Sequence, residues 1–251
     1  MTGHGAAPLG IVHVGLLEED SAEARALLER WPNPDDPPRR RSRLARALLR
    51  VLLGGATGVD PGLWEFSADP SGRPLARAPG VAEPPSVSLS HSGGWVACAV
   101  AAGGSLGIDV EAHRAGRDHA GIAGLAFGPG EQRRAADGGA AAFYRIWTLR
   151  EAMAKSTGQG LVQAADGSDR AAGGPDHGCW TMDLDGARWW LAHEVPAPGL
   201  SLSVALEGRA GGGSRWRLSW WRPVANVGCH GEWCNLGLSD RSDHPIAGED
   251  P

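Results

Sequence analysis

Between Trp147 and Lys155 the chain reads WTLREAMAK, which sets one acid, Glu151, four residues ahead of one base, Lys155. At about 100° per residue, Tyr144, Trp147, Glu151 and Lys155 share one side of a helix. Ala142, Ile146, Leu149 and Met153 make an apolar stripe nearly opposite. In solvent, a Glu and a Lys at this spacing stabilise a helix by roughly 0.2–0.5 kcal/mol and do nothing else. Beside a Tyr and a Trp, which prefer cover, they are an acid and a base held at a crevice. Both readings are open on this stretch alone. A second constellation lies upstream in LGIDVE. Asp109 and Glu111 are two apart, so on a strand they share a face while Ile108 and Val110 share the other. Paired carboxylates repel each other and favour a divalent cation between them; on an edge strand the same pair is merely solvated.

Two further groups could meet a ligand. Arg39, Arg40, Arg41 and Arg43 crowd the start of an amphipathic stretch. That is the positive end of a helix dipole and unfavourable for cations, unless an anion sits there; otherwise the arginines form a solvated face. Ser90, His91 and Ser92 could suggest a serine hydrolase. Neighbours on a strand point to opposite faces, so Ser90 and His91 make a poor nucleophile–base pair, and no G-x-S-x-G elbow is present.

The elements around these residues follow from period and punctuation. Gly10–Leu17 reads as a strand. A helix follows, with Asp20 and Glu23 as its capping box and Ala24, Leu27, Leu28 and Trp31 as its apolar side. The proline-rich segment 31–38 is a loop. A helix from Arg39 is expected to stop at Gly54. LWEFS (63–67) is a short strand and DPSGRP (69–74) a turn. SVSLS, WVACAVAA and LGIDVEA are three strands separated by HSGG and GGS turns. Residues 114–139 hold short helices, one starting near Glu131, and the long helix spans 140–157 with Gly158 as its stop. From 179 to 221 an antiparallel sheet is expected: one hairpin turns at Asp185-Gly186, another pairs LSLSVAL with RWRLSWW. Trp180, Trp189, Trp190, Trp216, Trp220 and Trp221 read as core and sheet cover. Strand, helix and sheet thus occur twice, which predicts an α+β fold of two similar subdomains related by a pseudo-two-fold axis, with a cleft between them. The halves are 1–104 and 105–223; 224–251 has no periodicity and reads as a disordered tail.

Composition narrows the function. Hydrophobic residues are 42% and charged residues 21%, as in a soluble globular protein. A net charge of -5 argues against nucleic acid as partner. No apolar run is long enough for a membrane span, and the N-terminus lacks a secretory pattern, so a cytoplasmic protein is expected. Cys98, Cys179, Cys229 and Cys234 have no disulfide rhythm. Cys229, His230 and Cys234 lack a second ligand pair at zinc-finger spacing and are not read as a metal site.

SLSHSGGWVACAV, then LGIDVE, then WTLREAMAK, in this order, resemble the 4′-phosphopantetheinyl transferases, in particular the larger monomeric Sfp-type members. The family pattern is a Ser-His segment, a G-(I/V)-D-x-E strand and a W-x-x-K-E-x-x-x-K helix. It covers about residues 39–162 well and the following sheet in outline. The resemblance implies transfer of 4′-phosphopantetheine from coenzyme A to a serine of an apo acyl or peptidyl carrier protein, as in secondary metabolite biosynthesis, with release of 3′,5′-ADP. It implies Mg²⁺ on Asp109, Glu111 and Glu151. Either Glu151 or a metal-bound water near Glu111 would take the serine proton. Lys155 would meet charge on the leaving phosphate. Ser90 and His91 would contact the coenzyme's phosphates, Arg73 the adenine or its 3′-phosphate, and Arg41 would be the basic residue at the first long helix. Arg150 departs from the family's Lys before the acid, and the segment beyond Pro223 has no counterpart. A non-catalytic module that holds coenzyme A or a carrier protein is the alternative; the intact acids and Lys155 speak against it.

Overall fold

Alternating side chains in Leu9–Glu18 form strand β1, and helix α1 (Ala22–Arg30) follows. Its N-cap is Ser21, whose Oγ accepts from the Ala24 N–H at 3.0 Å, so the expected Asp20–Glu23 box does not form. In a computed structural model, residues 9–32, 39–158, 169–208, 215–223 and 231–234 are described. Helix α2 spans Arg40–Thr57 and passes through Gly54 instead of ending there. Gly54 packs against Pro61, where a Cβ would meet the ring at 2.7 Å, so it serves close approach; Gly58, at φ 74°, ends the helix.

A 3₁₀ turn, Pro61–Leu63, takes the start of the expected 63–67 strand and leads into β2 (Glu65–Ala68), which pairs with β3 (Pro74–Arg77). Three strands follow as expected: β4 (Ser86–Ser92), β5 (Trp95–Ala101) and β6 (Ser105–Ala112). Next come α3 (His119–Ala126) and α4 (Pro129–Thr157). Gly139 breaks α4 at φ 62°, ψ -148°, which separates a short helix containing Glu131 from the expected 140–157 helix. Strands β7 (Gly178–Leu184), β8 (Ala187–Ala197), β9 (Leu200–Gly208), β10 (Arg215–Pro223) and β11 (Gly231–Cys234) complete the order. Asp185 and Gly186, both at positive φ, make the β7–β8 turn.

The strands form two main sheets, in the orders β11-β10-β1-β5-β4 and β6-β9-β8-β7. The expected β9–β10 hairpin is not made. Strand β10 crosses to the first sheet and pairs parallel with β1, Leu9 opposite Arg215. Both its faces are covered there: Leu218 and Trp220 enter the core between the sheets, and Trp221 joins the core under α2. The 224–251 tail reading meets the structure at Gly231–Cys234, which pair with β10; 224–230 and 235–251 lie outside the described residues, Cys229 and His230 among them.

Four layers result. Leu44, Leu48 and Leu52 of α2 pack on Val96, Cys98 and Val100 of β5. The other face of β5, through Ala97, Ala99 and Ala101, meets Leu106, Ile108 and Val110 of β6 between the sheets. The far face of the second sheet meets α4 through Ile146, Leu149 and Met153. The helix axis comes so close to β6 at Gly107 that a Cβ there would overlap the Ala152 carbonyl oxygen and press on the Ser156 nitrogen. Gly107→Ala is therefore expected to lower stability by about 1–3 kcal/mol or more through overpacking. A denaturant titration with an unchanged midpoint would refute this close-approach role.

Candidate active site

Strand alternation does what the spacing of Asp109 and Glu111 demands: Ile108 and Val110 enter the inter-sheet core while the two acids turn toward α4 and β4. Asp109 is only 4% exposed. Its Oδ1 accepts from Ser90 Oγ at 2.7 Å and from Lys155 Nζ at 2.7 Å. Its Oδ2 is buried and accepts no hydrogen bond among the described residues. Burial raises the Asp109 pKa; the Lys155 ammonium and the Ser90 hydroxyl oppose that, and Glu111 adds to it.

Lys155 is paired with Asp109 rather than with its helix neighbour Glu151. The ammonium donates to Asp109 Oδ1, to Ser90 Oγ at 2.9 Å and to the Ile108 carbonyl at 3.2 Å. Glu151 sits half-buried with its carboxyl pushed up to about 7, first by burial, then by repulsion from Asp109 and Glu111, with Lys155 acting the other way. The solvated-pair reading of Glu151 and Lys155 thus fails. Their face of α4 is covered, as Tyr144 and Trp147 require. Tyr144 is fully buried, stacks on His113 at 4.1 Å and accepts from the Arg114 N–H at 2.8 Å; Trp147 stacks on Phe143.

Behind this face, Arg150 donates to Glu131 Oε2 at 2.8 Å, with both side chains at most 1% exposed. Glu131 also accepts from the backbone N–H groups of Gly128, Arg170 and Ala171. A buried carboxylate with this many donors ties the start of α4, its catalytic turn and the 170–171 backbone together. Arg150, where the resembled pattern has Lys, therefore points about 100° round the helix from Glu151, toward Glu131.

Glu151 and Lys155 open into a cleft of about 530 Å³. One wall is the α2 face Ser42, Ala45, Arg46 and Leu49, spaced at i, i+3, i+4 and i+7. The β2–β3 hairpin supplies Phe66 and Arg73. Its turn is held by Asp69 Oδ1, which accepts from the Ser71 and Arg73 N–H groups at 2.8 and 3.0 Å. His91 reaches the cleft from β4. Of the residues singled out by sequence, Arg73, His91, Glu151 and Lys155 line this space. Asp109 is buried behind them and Ser90 lies on the Asp109 side of β4, opposite His91, which removes the hydrolase arrangement. Arg41 does not line the cleft: its Nε donates to Glu19 at 2.7 Å near the surface. Arg46, one turn further on, is the α2 cation that faces the cleft. Its helical spacing with Ser42 and Leu49 was the available signal. Glu111 borders a second opening of about 420 Å³ with Arg114 and Arg117, so the acids stand between two entrances.

Three hard oxygen donors, one with an orphaned buried oxygen, suit a cation of the Mg²⁺ class in type. As drawn, no group of three His, Cys, Asp or Glu among the described residues is gathered at metal-holding distance, and the Lys155 ammonium stands at Asp109. Among the described residues, no helix is long and apolar enough to cross a membrane.

Residues 105–193 match the family model of the 4′-phosphopantetheinyl transferase superfamily. The chain is 33% identical over 129 residues to the 4′-phosphopantetheinyl transferase HetI of Nostoc sp., a match spanning 50% of this chain and 54% of that protein. It is 31% identical over 151 residues to a 4′-phosphopantetheinyl transferase of Bacillus subtilis, spanning 58% and 63% of the two chains. A phosphopantetheinyl transferase of Thraustochytrium sp. is 28% identical over 219 residues, spanning 75% and 71%. The chain thus spans less than two thirds of the length of the first two. Asp109, Glu111, Glu151 and Lys155 all fall inside the matched segment, so the part of the chain that carries the site is similar to the 4′-phosphopantetheinyl transferase superfamily.

Proposed function

We propose that this protein transfers 4′-phosphopantetheine from coenzyme A to a serine hydroxyl of an apo acyl or peptidyl carrier protein. The convergence of Glu151 and Lys155 on a cleft with Arg46, Arg73 and His91 along its walls carries this reading. The serine oxygen forms a bond to the phosphorus that bears pantetheine, the anhydride bond to the adenosine phosphate breaks, and 3′,5′-ADP leaves. Arg46, Arg73 and His91 bind the nucleotide's phosphates and fix the donor for in-line attack. Glu151 accepts the serine proton; a water beside Glu111 is the other candidate. Lys155 moves its ammonium toward the charge growing on the leaving phosphate. Asp109, Glu111 and Glu151 would hold Mg²⁺, which would neutralise charge on the diphosphate. The acceptor serine enters on the side of Glu111 and Arg114. Two subdomains in a pseudo-two-fold arrangement, meeting near residue 104 with 215–223 returning to the first sheet, frame the donor cleft. On this reading the protein works as a cytoplasmic monomer on a small-molecule donor and a protein acceptor.

The direct test is incubation of the purified chain with Mg²⁺, coenzyme A and a panel of apo carriers, read by intact mass. A phosphopantetheine mass increase is expected on at least one carrier, and none with Asp109→Ala, whose circular dichroism spectrum is expected to show the fold retained. Coenzyme A binding without any mass increase would instead establish a binding module. Arg46→Ala and Arg73→Ala are each expected to raise the KM for coenzyme A by about tenfold, the scale of one charged hydrogen bond to phosphate, with kcat little changed. An unaltered KM in both would move the nucleotide out of this cleft.

Glu151 also makes a pH prediction. Its carboxyl is raised from 4.5 to about 7 in the folded protein. Between those values the unfolded chain has released a proton that the folded chain keeps, so this group lowers folding stability as pH rises through that window. In metal-free buffer at pH 8, Glu151→Gln is expected to melt higher than the unaltered protein, with the difference vanishing near pH 4. Equal melting temperatures across the range would show that Glu151 is not crowded by the other acids.

A further inference from the structure

Strands β4 and β6 are edges of different sheets, and no backbone ladder joins them. Serine hydroxyls do so instead, at every second residue of β4. Ser86 Oγ donates to the Gly104 carbonyl. Ser88 Oγ accepts from the Ile108 N–H at 3.0 Å, and Ser90 Oγ donates to Asp109. Ser92 Oγ donates to Glu111 Oε2 at 2.6 Å and accepts from the Ala112 N–H at 3.2 Å. The serine period on β4 matches the acid period on β6, so each strand acid receives one hydroxyl.

Ser92, like Ser90, both accepts and donates, but its donor is a backbone N–H where that of Ser90 is the Lys155 ammonium. The Ala112 N–H occupies a lone pair of its oxygen, so the hydroxyl proton is committed to the Glu111 carboxylate. Ser92 is buried at 7% exposure, and the next residue, Gly93, lies so near Ala112 that a Cβ would overlap the Ala112 methyl. The β4–β5 turn thus presses Ser92 against the end of β6. Glu111 has a flexible side chain at the rim of the second opening, and this charge-assisted bond restricts where its carboxylate stands.

We propose that Ser92 is a positioning residue: it limits the freedom of the Glu111 carboxylate beside Asp109, so that less ordering is needed when a divalent cation binds with Asp109 and Glu151. This rests on the cation reading of the three acids given above. Outer hydrogen-bond partners of metal ligands govern affinity because a ligand free to rotate must be ordered on binding, and their loss costs about 10- to 100-fold. The test titrates Mn²⁺ into the full chain with coenzyme A present and follows free Mn²⁺ by electron paramagnetic resonance. Ser92→Ala is expected to raise the Mn²⁺ Kd about tenfold or more. Ser92→Thr, which keeps the hydroxyl, restores it. Ser86→Ala, which breaks a bond of the same seam but touches no carboxylate, leaves the Kd unchanged. If Ser92→Ala binds Mn²⁺ as tightly as the unaltered chain, or if Ser86→Ala weakens binding equally, Ser92 is a seam residue only and the proposal falls while the cation site stands. If the unaltered chain binds no Mn²⁺, the cation reading fails first and this role fails with it. Thermal melts of each variant separate loss of fold from loss of affinity.

Discussion

The Asp109–Lys155–Ser90 junction is the interaction on which the rest of the arrangement depends. It joins three elements at one point: Asp109 on β6, Lys155 on α4 and Ser90 on β4. Asp109 is almost fully buried, and a buried carboxylate without a partner costs several kcal/mol. The ammonium and the hydroxyl offset part of that cost, yet burial still raises the Asp109 pKa. The site is thus held by a bond that is favourable only while β4, β6 and α4 keep their present spacing. Gly107 sets one of those spacings, because it lets the α4 backbone rest directly on β6 next to Asp109.

The two sheets bring complementary chemistry to that junction. On the side of the first sheet, Arg46 of α2, Arg73 of the separate β2–β3 hairpin and His91 of β4 line the cleft, while Ser90 of β4 meets Asp109. The second contributes acids from β6 and both kinds of charge from α4. The β4–β6 seam is made of side-chain hydroxyls, which are shorter-ranged and more directional than an apolar contact, so it fixes register along the strands as well as proximity. A register error of one residue would turn Asp109 and Glu111 into the apolar core between the sheets.

Much of this was legible in the sequence, for identifiable physical reasons. The two-residue period of Asp109 and Glu111 and the helical period of Glu151 and Lys155 are geometric facts of strand and helix, so their faces could be assigned before any coordinates. The aromatic neighbours Tyr144 and Trp147 correctly signalled a helix covered on both sides. Three features were not legible. The partner of Lys155 is Asp109, 46 residues away in the chain, and no local period reports a long-range pair. Strand β10 crosses to β1 because Leu218, Trp220 and Trp221 need cover on both faces, whereas the adjacent glycine-rich segment suggested a hairpin with β9. The four-arginine cluster drew attention to Arg41, but the α2 residue facing the cleft is Arg46, because the helical phase, not charge density, decides which side chain points inward.

The position of Lys155 bears on how a divalent cation and the lysine would share the acids. Three carboxylates stand near one ammonium here in a half-buried setting; burial first, then repulsion from Asp109 and Glu111, pushes the Glu151 carboxyl up to about 7. A lone ammonium is a single charge with three donors and is matched by Asp109, Ser90 and the Ile108 carbonyl. It leaves Asp109 Oδ2 without a donor and does not remove the repulsion on Glu151. On the proposed reading, a dication would answer both deficits at once, and the ammonium, on its flexible four-carbon stem, would turn toward the phosphate. Lysine suits that dual position better than arginine, whose planar fork would demand a fixed bidentate partner. The substitution of Arg for Lys at position 150 is tolerable for the converse reason: there the side chain is buried against Glu131 and one fixed partner is what the fold requires.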